Sequence, residues 1–335
     1  MKKTVLATLA ASAIALCAAL PAARAADAEP AIIYDLGGKF DKSFNEAGYN
    51  GAEKWKKDTG KSYREFEIQN DSQREQALRR FARNGSSPIL AMSFSAASAV
   101  EKVAKEFPDT KFVIIDSVVD LPNVRSVLFS EEQGSYLVGM LAAMKSQTNK
   151  VGFVGGMDIP LIRNFSCGYK GGAKAAKADV QVFENMTGTT GAAWNDPVRG
   201  GELAKSQISQ GADVIYHAAG GTGIGVLQAA NDAGKYGIGV DSNQNMLHPG
   251  HVLTSMLKRV DVAVYKAFDD VAKGNWSAGN QTLGLKEDGV GYAVDDNNKD
   301  LITPEMANAV EQAKADIIAG KVQVHNYNSD DKCPY

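Results

Sequence analysis

Short apolar segments alternate with amphipathic helical segments along almost the whole chain, and this alternation occurs as two successive blocks. Candidate strands of the first block are 31–36, 64–68, 88–94, 111–116 and 124–129, and those of the second are 151–154, 180–185, 213–219, 236–240 and 252–256. Apolar runs of this length, each followed by a helical pattern, predict parallel strands joined by crossover helices. The expected fold class is therefore α/β, with two Rossmann-like lobes built on parallel sheets.

The point at which the alternation restarts indicates how the chain is divided. A helix predicted over 132–146 ends the first block, and Lys150-Val-Gly-Phe-Val begins the second. We expect lobe 1 to comprise 31–147 plus about 257–282, and lobe 2 to comprise 148–256 plus about 283–330. Several chain crossings between two lobes predict a hinge.

The N-terminal segment has the features of an export signal. Two lysines precede an apolar run, and a small-residue cleavage site ends at Ala25. The run is too short and wrongly flanked for a permanent membrane span, so we expect 1–25 to be a cleaved signal peptide and the mature protein to be periplasmic. Leu16 occupies a position where a lipidation motif needs a small residue, which disfavours a lipid anchor on Cys17.

Charge argues against one class of partner. The chain has a formal net charge of −3, and its first 25 residues contain basic residues but no acidic ones. The mature protein is therefore more acidic still, which disfavours binding to nucleic acids or anionic membranes.

Two cysteines, Cys167 and Cys333, remain after the expected cleavage. An oxidising compartment permits them to form a disulfide. The sequence does not give the distance between them, so a disulfide and two separate thiols both stay open.

Three aspartates follow candidate strands: Asp35, Asp116 and Asp241. An aspartate after a strand is more often a helix cap than a ligand contact. However, the carboxyl ends of parallel strands line the ligand crevice of open α/β sheets. Carboxylates accept hydrogen bonds in pairs, so the pattern favours a ligand with vicinal hydroxyls or ring N–H groups.

The loop after the first strand reads Asp35-Leu-Gly-Gly-Lys-Phe-Asp-Lys-Ser-Phe-Asn45. Gly37 and Gly38 permit backbone conformations with positive φ, and Ser43 is expected to cap the helix that follows. Phe44 in this loop and Trp194 in a second polar loop belong to different candidate lobes. Two rings that face each other across a cleft can bind a flat base, although each ring can instead cover its local core.

Other motifs are less specific. The segment Ala218-Ala-Gly-Gly-Thr-Gly-Ile-Gly225 fits neither a dinucleotide fingerprint nor a P-loop, which leaves a tight turn or a hydrogen-bonding role for Gly220. The four histidines lack the spacing of a zinc site, and no Gly-x-Ser-x-Gly motif occurs. Metal and serine chemistry are disfavoured, and no cofactor is expected.

In combination and order, these segments resemble the basic membrane protein family of ABC-transporter solute-binding proteins, the purine-nucleoside receptor group. Beyond the loops above, the matching segments are Phe112-Val-Ile-Ile-Asp116, Gly155-Gly-Met-Asp-Ile-Pro160, Trp194-Asn-Asp-Pro197, Gly239-Val-Asp-Ser-Asn243 and Leu253-Thr-Ser-Met-Leu-Lys258. The resemblance covers nearly all of 31–327. It implies a periplasmic-binding-protein type I fold that closes on its ligand by a hinge and has no enzymatic activity.

The resemblance also implies a set of ligand-binding residues. These are Asp35, Phe44, Asn45, Ser93, Asp116, Trp194, Gly220, Asp241 and Lys258. Phe44 and Trp194 would enclose the base, and Gly220, Asp241 and Lys258 would contact the ribose. Ser95 is an alternative to Ser93, because the strand end there cannot be aligned to one residue.

The expected ligand is a purine nucleoside (adenosine, guanosine or inosine), and the expected partners are an ABC permease and its ATPase, with the binding protein itself a monomer. One alternative is a sensor subunit for a sugar or a signalling furanose, which would not need both rings. The other is a calcium-dependent nucleoside hydrolase. The loop containing Asp35 and Asp41 supplies no carboxylate cluster of the kind that a catalytic metal needs.

Overall fold

The computed structural model describes residues 28–335. The expected signal peptide, its cleavage site and Cys17 lie outside the described residues. Within 28–335, none of the helices combines the length and the apolar character that crossing a membrane requires.

The described chain forms two six-stranded sheets. The strands of the first sheet are β1 (Ala31–Tyr34), β2 (Arg64–Glu67), β3 (Ile89–Ala91), β4 (Phe112–Ile115), β5 (Val124–Phe129) and β11 (Gly279–Leu283). Those of the second are β6 (Lys150–Met157), β7 (Gln181–Gly188), β8 (Val214–Ala218), β9 (Tyr236–Asp241), β10 (Val252–Lys258) and β12 (Val290–Tyr292). The α/β fold with two parallel sheets is confirmed.

Strand order is β11-β5-β4-β3-β1-β2 in the first sheet and β12-β10-β9-β8-β6-β7 in the second. All neighbours pair in parallel except β10 and β12, which pair antiparallel. The inner strands β1 and β4 are buried along their whole length. This burial explains their continuous apolar sequences, since parallel strands are covered by helices on both faces.

Helices connect most of the successive strands, and the last helix follows the last strand. They are α1 (Phe44–Thr59), α2 (Gln73–Arg83), α3 (Ala97–Glu106), α4 (Glu131–Lys145), α5 (Pro160–Ala176), α6 (Pro197–Ser209), α7 (Gly223–Asp232), α8 (Val260–Ala272) and α9 (Pro304–Ile318). Each crossover returns the chain to the start of a parallel strand. The carboxyl ends of the strands are consequently free to carry the site.

The packing of α4 and α8 bears on where the chain passes between the lobes. Helix α4 follows β5 of the first sheet but packs on α5 and on β10 of the second, whereas α8 follows β10 but packs on α1. We therefore propose that the first crossing lies before α4 and not at residue 147, the boundary that the sequence indicated. The chain would pass between the lobes twice more, in the connection from β10 to α8 and in the connection from β11 to β12.

Glycines allow the two helix pairs to approach closely. A Cβ atom built on Gly139 of α4 would lie 2.2 Å from the carbonyl oxygen of Tyr169, and one on Gly51 of α1 would lie 2.1 Å from that of Asp261. Any side chain at either position would push the helices apart.

The end of the chain is joined to α5 by a disulfide. Cys167 and Cys333 are paired, with their Cα atoms 5.6 Å apart, although 166 positions separate them in sequence. The sequence left this pairing open, and the structure decides it.

Candidate functional site

A cavity lies between the carboxyl ends of the two sheets. Ligands of open α/β sheets bind at this position, outside the carboxyl ends of the strands. All nine residues named from the sequence line it: Asp35, Phe44, Asn45, Ser93, Asp116, Trp194, Gly220, Asp241 and Lys258. The fold therefore brings together residues that are widely separated along the chain.

Several of these residues have an unusual backbone conformation. Ser93, Asp116 and Asp241 have φ values of 86°, 67° and 64°, and Gly220 has a φ of 55°. Positive φ is uncommon for residues other than glycine, although aspartate tolerates it. Strained positions of this kind concentrate at ligand sites, so their occurrence at Ser93, Asp116 and Asp241 around one cavity makes the cavity the candidate ligand site.

Lys258 is the central cation of the site. Its Nζ atom lies 2.7 Å from Oδ2 of Asp116 and 3.1 Å from Oε1 of Glu131, and its side chain is 2% exposed. Burial by itself would lower the pKa of Lys258, but the neighbouring carboxylates Asp116, Glu131 and Asp241 outweigh it and raise the pKa. The lysine is therefore charged, and it connects a residue of the first sheet to the end of β10.

Three phenylalanine rings surround the same ammonium group. The ring centroids of Phe44, Phe129 and Phe165 lie 5.5, 5.1 and 5.4 Å from Nζ of Lys258. Phe165 lines the cavity from α5, but the sequence did not point to it. It lies within an amphipathic helix, where its spacing is that of an ordinary core residue.

One carboxylate oxygen of the site has no internal partner. Oδ1 of Asp116 is buried and accepts no hydrogen bond from the described residues. A buried acceptor without a donor costs free energy, and a hydroxyl or N–H group of a ligand would remove that cost.

Asp35 is held in place by its neighbours. Nη2 of Arg74 donates to its Oδ1 at 2.6 Å, and Oγ of Ser95 donates to its Oδ2 at 3.2 Å. The side chain of Asn45 accepts the N–H of Asp35 at 3.0 Å and donates to the carbonyls of Asp35 and Gly38, each at 3.2 Å. Asn45 therefore orders the loop. Arg74 was not predicted as a site residue, because its partner Asp35 is distant along the chain.

The expected cap on α1 is wrong. Ser43 makes no side-chain capping hydrogen bond. Instead, the carboxylate of Asp41 accepts the N–H groups of Ser43, Asn45 and Glu46 at 2.8, 3.0 and 3.1 Å. The hydroxyl of Ser43 is thus free to donate to the carboxylate of Asp241 in the other lobe.

Two further hydrogen bonds join the same loops of the two lobes. Oγ of Ser242 donates to the carbonyl of Ser43 at 3.0 Å, and Nε2 of Gln244 donates to the carbonyl of Lys42 at 2.9 Å. His217 lies behind this contact, with Nε2 at 2.9 Å from Oε1 of Gln244. Burial lowers the pKa of His217 to about 4, so the neutral ring donates to Gln244. The structure therefore shows the lobes in a closed arrangement.

Acceptors outnumber available cations around the cavity. Burial raises the pKa values of Asp41 and Asp241 to about 6 each. The nearby cations Lys258 and Arg74 are already paired with carboxylates. The site is thus suited to a neutral ligand rich in hydrogen-bond donors and is unfavourable for an anion. Among residues 28–335, no group of three or more His, Cys, Asp or Glu side chains is arranged to hold a metal ion.

Two parallel-sheet lobes around a cavity form the type I periplasmic binding fold. A solved ABC-transporter solute-binding protein from Aeropyrum pernix K1 is 28% identical, with a TM-score of 0.82, and the match covers 91% of this chain and 95% of that one. An ABC-transporter solute-binding protein from Conexibacter woesei has the same fold, with a TM-score of 0.73 at 23% identity over 90% and 99% of the two chains.

The chain belongs to the Bmp family, described as ABC transporter substrate-binding protein PnrA-like, whose model matches residues 31–326. The ABC transporter nucleoside-binding protein BmpA of Lactococcus lactis is 34% identical over 321 residues, which cover 89% of each chain. The chain is therefore a transporter substrate-binding protein and not an enzyme. The hydrolase alternative is accordingly wrong.

The names of other relatives bear on the expected absence of a lipid anchor. An uncharacterized lipoprotein of Pyrococcus furiosus is 36% identical over 78% of this chain and 69% of its own. Basic membrane protein A of Borreliella afzelii is 31% identical, and the match covers 90% of this chain and 93% of that one. Such names suggest lipid anchoring, so they do not support the expectation drawn from Leu16.

Proposed function

We propose that this protein captures a purine nucleoside between its lobes and delivers it to an ABC permease powered by an ATPase. One observation carries the proposal: Phe44 and Trp194, from different lobes, line the same cavity as the unpartnered Oδ1 of Asp116. A flat base attached to a polyhydroxylated sugar uses both features at once. The name of the Lactococcus lactis relative, a nucleoside-binding protein, supports the same ligand class.

The base is proposed to lie between the two rings. Trp194 packs over Gly156 of β6, where a Cβ atom would lie 2.2 Å from the indole ring. Phe44 is the first residue of α1, and its ring lies beside the ammonium group of Lys258. Every base can stack between two aromatic rings, so the rings contribute affinity without selecting a base. The polar groups of the cavity then discriminate between ligands.

The ribose is proposed to lie against Gly220, Asp241 and Lys258. Gly220 follows the end of β8 with a positive φ, and Asp241 ends the neighbouring strand β9. The carboxylates of Asp116 and Asp241 can each accept hydrogen bonds from sugar hydroxyls. Asn45 contributes indirectly, since its amide already binds the Asp35 loop.

The same charges are expected to reject nucleotides. A 5′-phosphate would enter a cavity lined by four aspartates, whose nearest cation, Lys258, is already shared by Asp116 and Glu131. Burying an unpaired phosphate among carboxylates is unfavourable. Electrostatic repulsion of the phosphate is therefore expected to favour nucleosides over nucleotides.

Capture is proposed to occur by hinge closure. Ligand contacts from both lobes exist together only when the lobes are closed, so the ligand shifts the population toward that state. We propose that the protein acts as a monomer outside the cytoplasmic membrane, in the periplasm, where the closed form meets the permease.

Isothermal titration calorimetry of ligand-stripped protein beginning at Ala26 tests this function. The panel is adenosine, guanosine, inosine, cytidine, adenine, ribose and adenosine 5′-monophosphate. Tight binding of the purine nucleosides is expected, with ribose, adenine and the nucleotide each at least about 100-fold weaker, since each loses one half of the site or adds an unpaired charge. Binding of ribose alone would favour the sugar-sensor alternative, and no binding across the panel would overturn the nucleoside assignment.

A further inference from the structure

The last ten residues of the chain pack on a helix that lines the ligand cavity. We call residues 326–335 the C-terminal strap. Cys333 of the strap is bonded to Cys167 of α5, and the ring of Tyr335 lies over Gly171, where a Cβ atom would lie 2.7 Å from it. The same helix contributes Phe165 to the cavity. The strap and the ligand site therefore share one structural element.

Asn164 of α5 links the strap to buried charges. Its side chain is fully buried, and its Oδ1 accepts the N–H of Tyr327 in the strap at 2.9 Å. Its Nδ2 donates to Oε2 of Glu132 at 2.8 Å and to Oε2 of Glu131 at 3.3 Å. A primary amide has one accepting and one donating end. The strap N–H and the two glutamates therefore hold the amide in one position from its opposite ends.

The link continues to the ligand site through Glu131. The other carboxylate oxygen of Glu131 lies 3.1 Å from Nζ of Lys258, which lines the cavity and also pairs with Asp116. Without the strap N–H, Oδ1 of Asn164 becomes a buried acceptor with no donor from the strap, which costs free energy. A shift of the side chain toward another donor would draw its amide away from Glu131 and Glu132.

We propose that Asn164 is a positioning residue for the ligand site, held in its working orientation by the C-terminal strap and the Cys167–Cys333 disulfide. Release of the strap then weakens ligand binding without removal of any side chain from the cavity. The inference rests on the proposed function for the identity of the ligand. It adds a redox-sensitive contribution to the affinity, because reduction of the disulfide frees the strap.

A polarity-exchange experiment tests the role of Asn164, with inosine as the titrated ligand. Asn164→Asp keeps an acceptor for Tyr327 but cannot donate to the glutamates, and we expect the Kd to rise about tenfold or more. Glu132→Gln alone retains an acceptor for Asn164 and should bind about as wild type does. The double variant Asn164→Asp, Glu132→Gln restores the pair with residue 132 at unchanged total charge but not the pair with Glu131, so its Kd should fall at least about threefold below that of Asn164→Asp. Equal weakening in the double variant would overturn the proposal, because loss of packing alone is not rescued.

The strap is tested by the double variant Cys167→Ser, Cys333→Ser, at a temperature where circular dichroism shows it to be fully folded. We expect its Kd for inosine to rise at least about threefold. The matched control is Thr303→Ala, which removes the hydroxyl that accepts the N–H of Met306 at the start of α9 and lowers stability away from α5. Equal affinity of the cysteine variant and the control would overturn the proposal.

A measurement without ligand separates this inference from the proposed function. The side-chain ¹⁵Nζ resonance of Lys258, assigned by its loss in Lys258→Arg, should shift in both Asn164→Asp and the strap-released variant. If wild-type protein binds no nucleoside, the proposed function fails and this resonance alone decides the inference. An unshifted resonance in both variants would overturn it.

Discussion

Nζ of Lys258 and Oδ2 of Asp116 lie 2.7 Å apart and join the two lobes across the ligand cavity. Lys258 ends β10 of the second sheet, and Asp116 follows β4 of the first. Both side chains are nearly inaccessible, with exposures of 2% and 5%. Each partner compensates the buried charge of the other.

Replacement of Lys258 should destabilise the protein strongly. Lys258→Met leaves Asp116 and Glu131 buried without a counter-ion, and we expect the free energy of unfolding to fall by about 3–5 kcal/mol. Urea denaturation measures the effect. The control is Lys42→Met, since the Lys42 side chain is 47% exposed and pairs with Glu46 at the surface. A loss below about 1 kcal/mol in Lys258→Met would show that the carboxylates do not depend on the lysine.

The two aromatic rings should each contribute to nucleoside affinity. Phe44→Ala and Trp194→Ala remove one stacking face, which is worth about 1–3 kcal/mol per base, or roughly 5- to 150-fold in Kd. Calorimetric titration with inosine measures each change. Phe40→Ala is the control, because Phe40 belongs to the same loop as Phe44 but is 60% exposed. Affinity within about twofold of wild type in Trp194→Ala would contradict the stacking arrangement.

Contacts between the lobes should influence affinity without touching the ligand. Ser242 lies outside the set of described residues that line the cavity, and its hydroxyl binds the carbonyl of Ser43 across the lobes. Ser242→Ala removes one hydrogen bond of the closed state, so the Kd should rise roughly 2- to 10-fold. Ser209→Ala, which loses an exposed hydrogen bond to the carbonyl of Ser206, serves as control. Unchanged affinity in Ser242→Ala would mean that closure does not use this contact.

The stability of the protein should depend on pH through Glu132. Burial and, secondarily, the charge of Glu131 raise the pKa of Glu132 from 4.5 to about 7. The folded state therefore holds the proton more tightly than the unfolded state does. This contribution to stability is fully present below about pH 4.5 and is lost as the pH rises through about 7.

Glu132→Gln has no such proton to lose. Its advantage in unfolding free energy over wild type should therefore grow between pH 5 and pH 8, by up to about 3 kcal/mol. Thermal denaturation of both proteins across this range measures the difference. A constant or shrinking difference would show that Glu132 titrates at its ordinary pKa.

The alternating pattern was sufficient to predict the sheets. Inner strands such as β4 are apolar throughout, and this feature is visible in the sequence because both faces are covered. The pattern did not show which sheet a helix covers. Helix α4 has apolar residues around most of its surface and leaves β5 to pack on the other lobe, a choice that depends on tertiary contacts.

The site was predictable where position in the fold decides it. Asp35, Asp116 and Asp241 were found because aspartates at strand ends meet at one edge of a sheet. The sequence did not predict Arg74, Glu131 or Phe165. Arg74 contacts Asp35, and Glu131 and Phe165 contact Lys258, and these partners are remote in sequence. Asp41 replaced Ser43 as the helix cap for a similar reason: the Ser43 hydroxyl binds Asp241 of the other lobe.

The central claim is that a nucleoside lies with its base between Phe44 and Trp194 and its ribose against Asp241 and Lys258. A crystal structure of the protein with inosine bound tests it most directly. We predict the purine ring parallel to both aromatic rings, and a ribose hydroxyl within hydrogen-bonding distance of Oδ1 of Asp116 or of the Asp241 carboxylate. An inosine bound with its base away from the two rings, or outside the cavity between the lobes, would contradict the account.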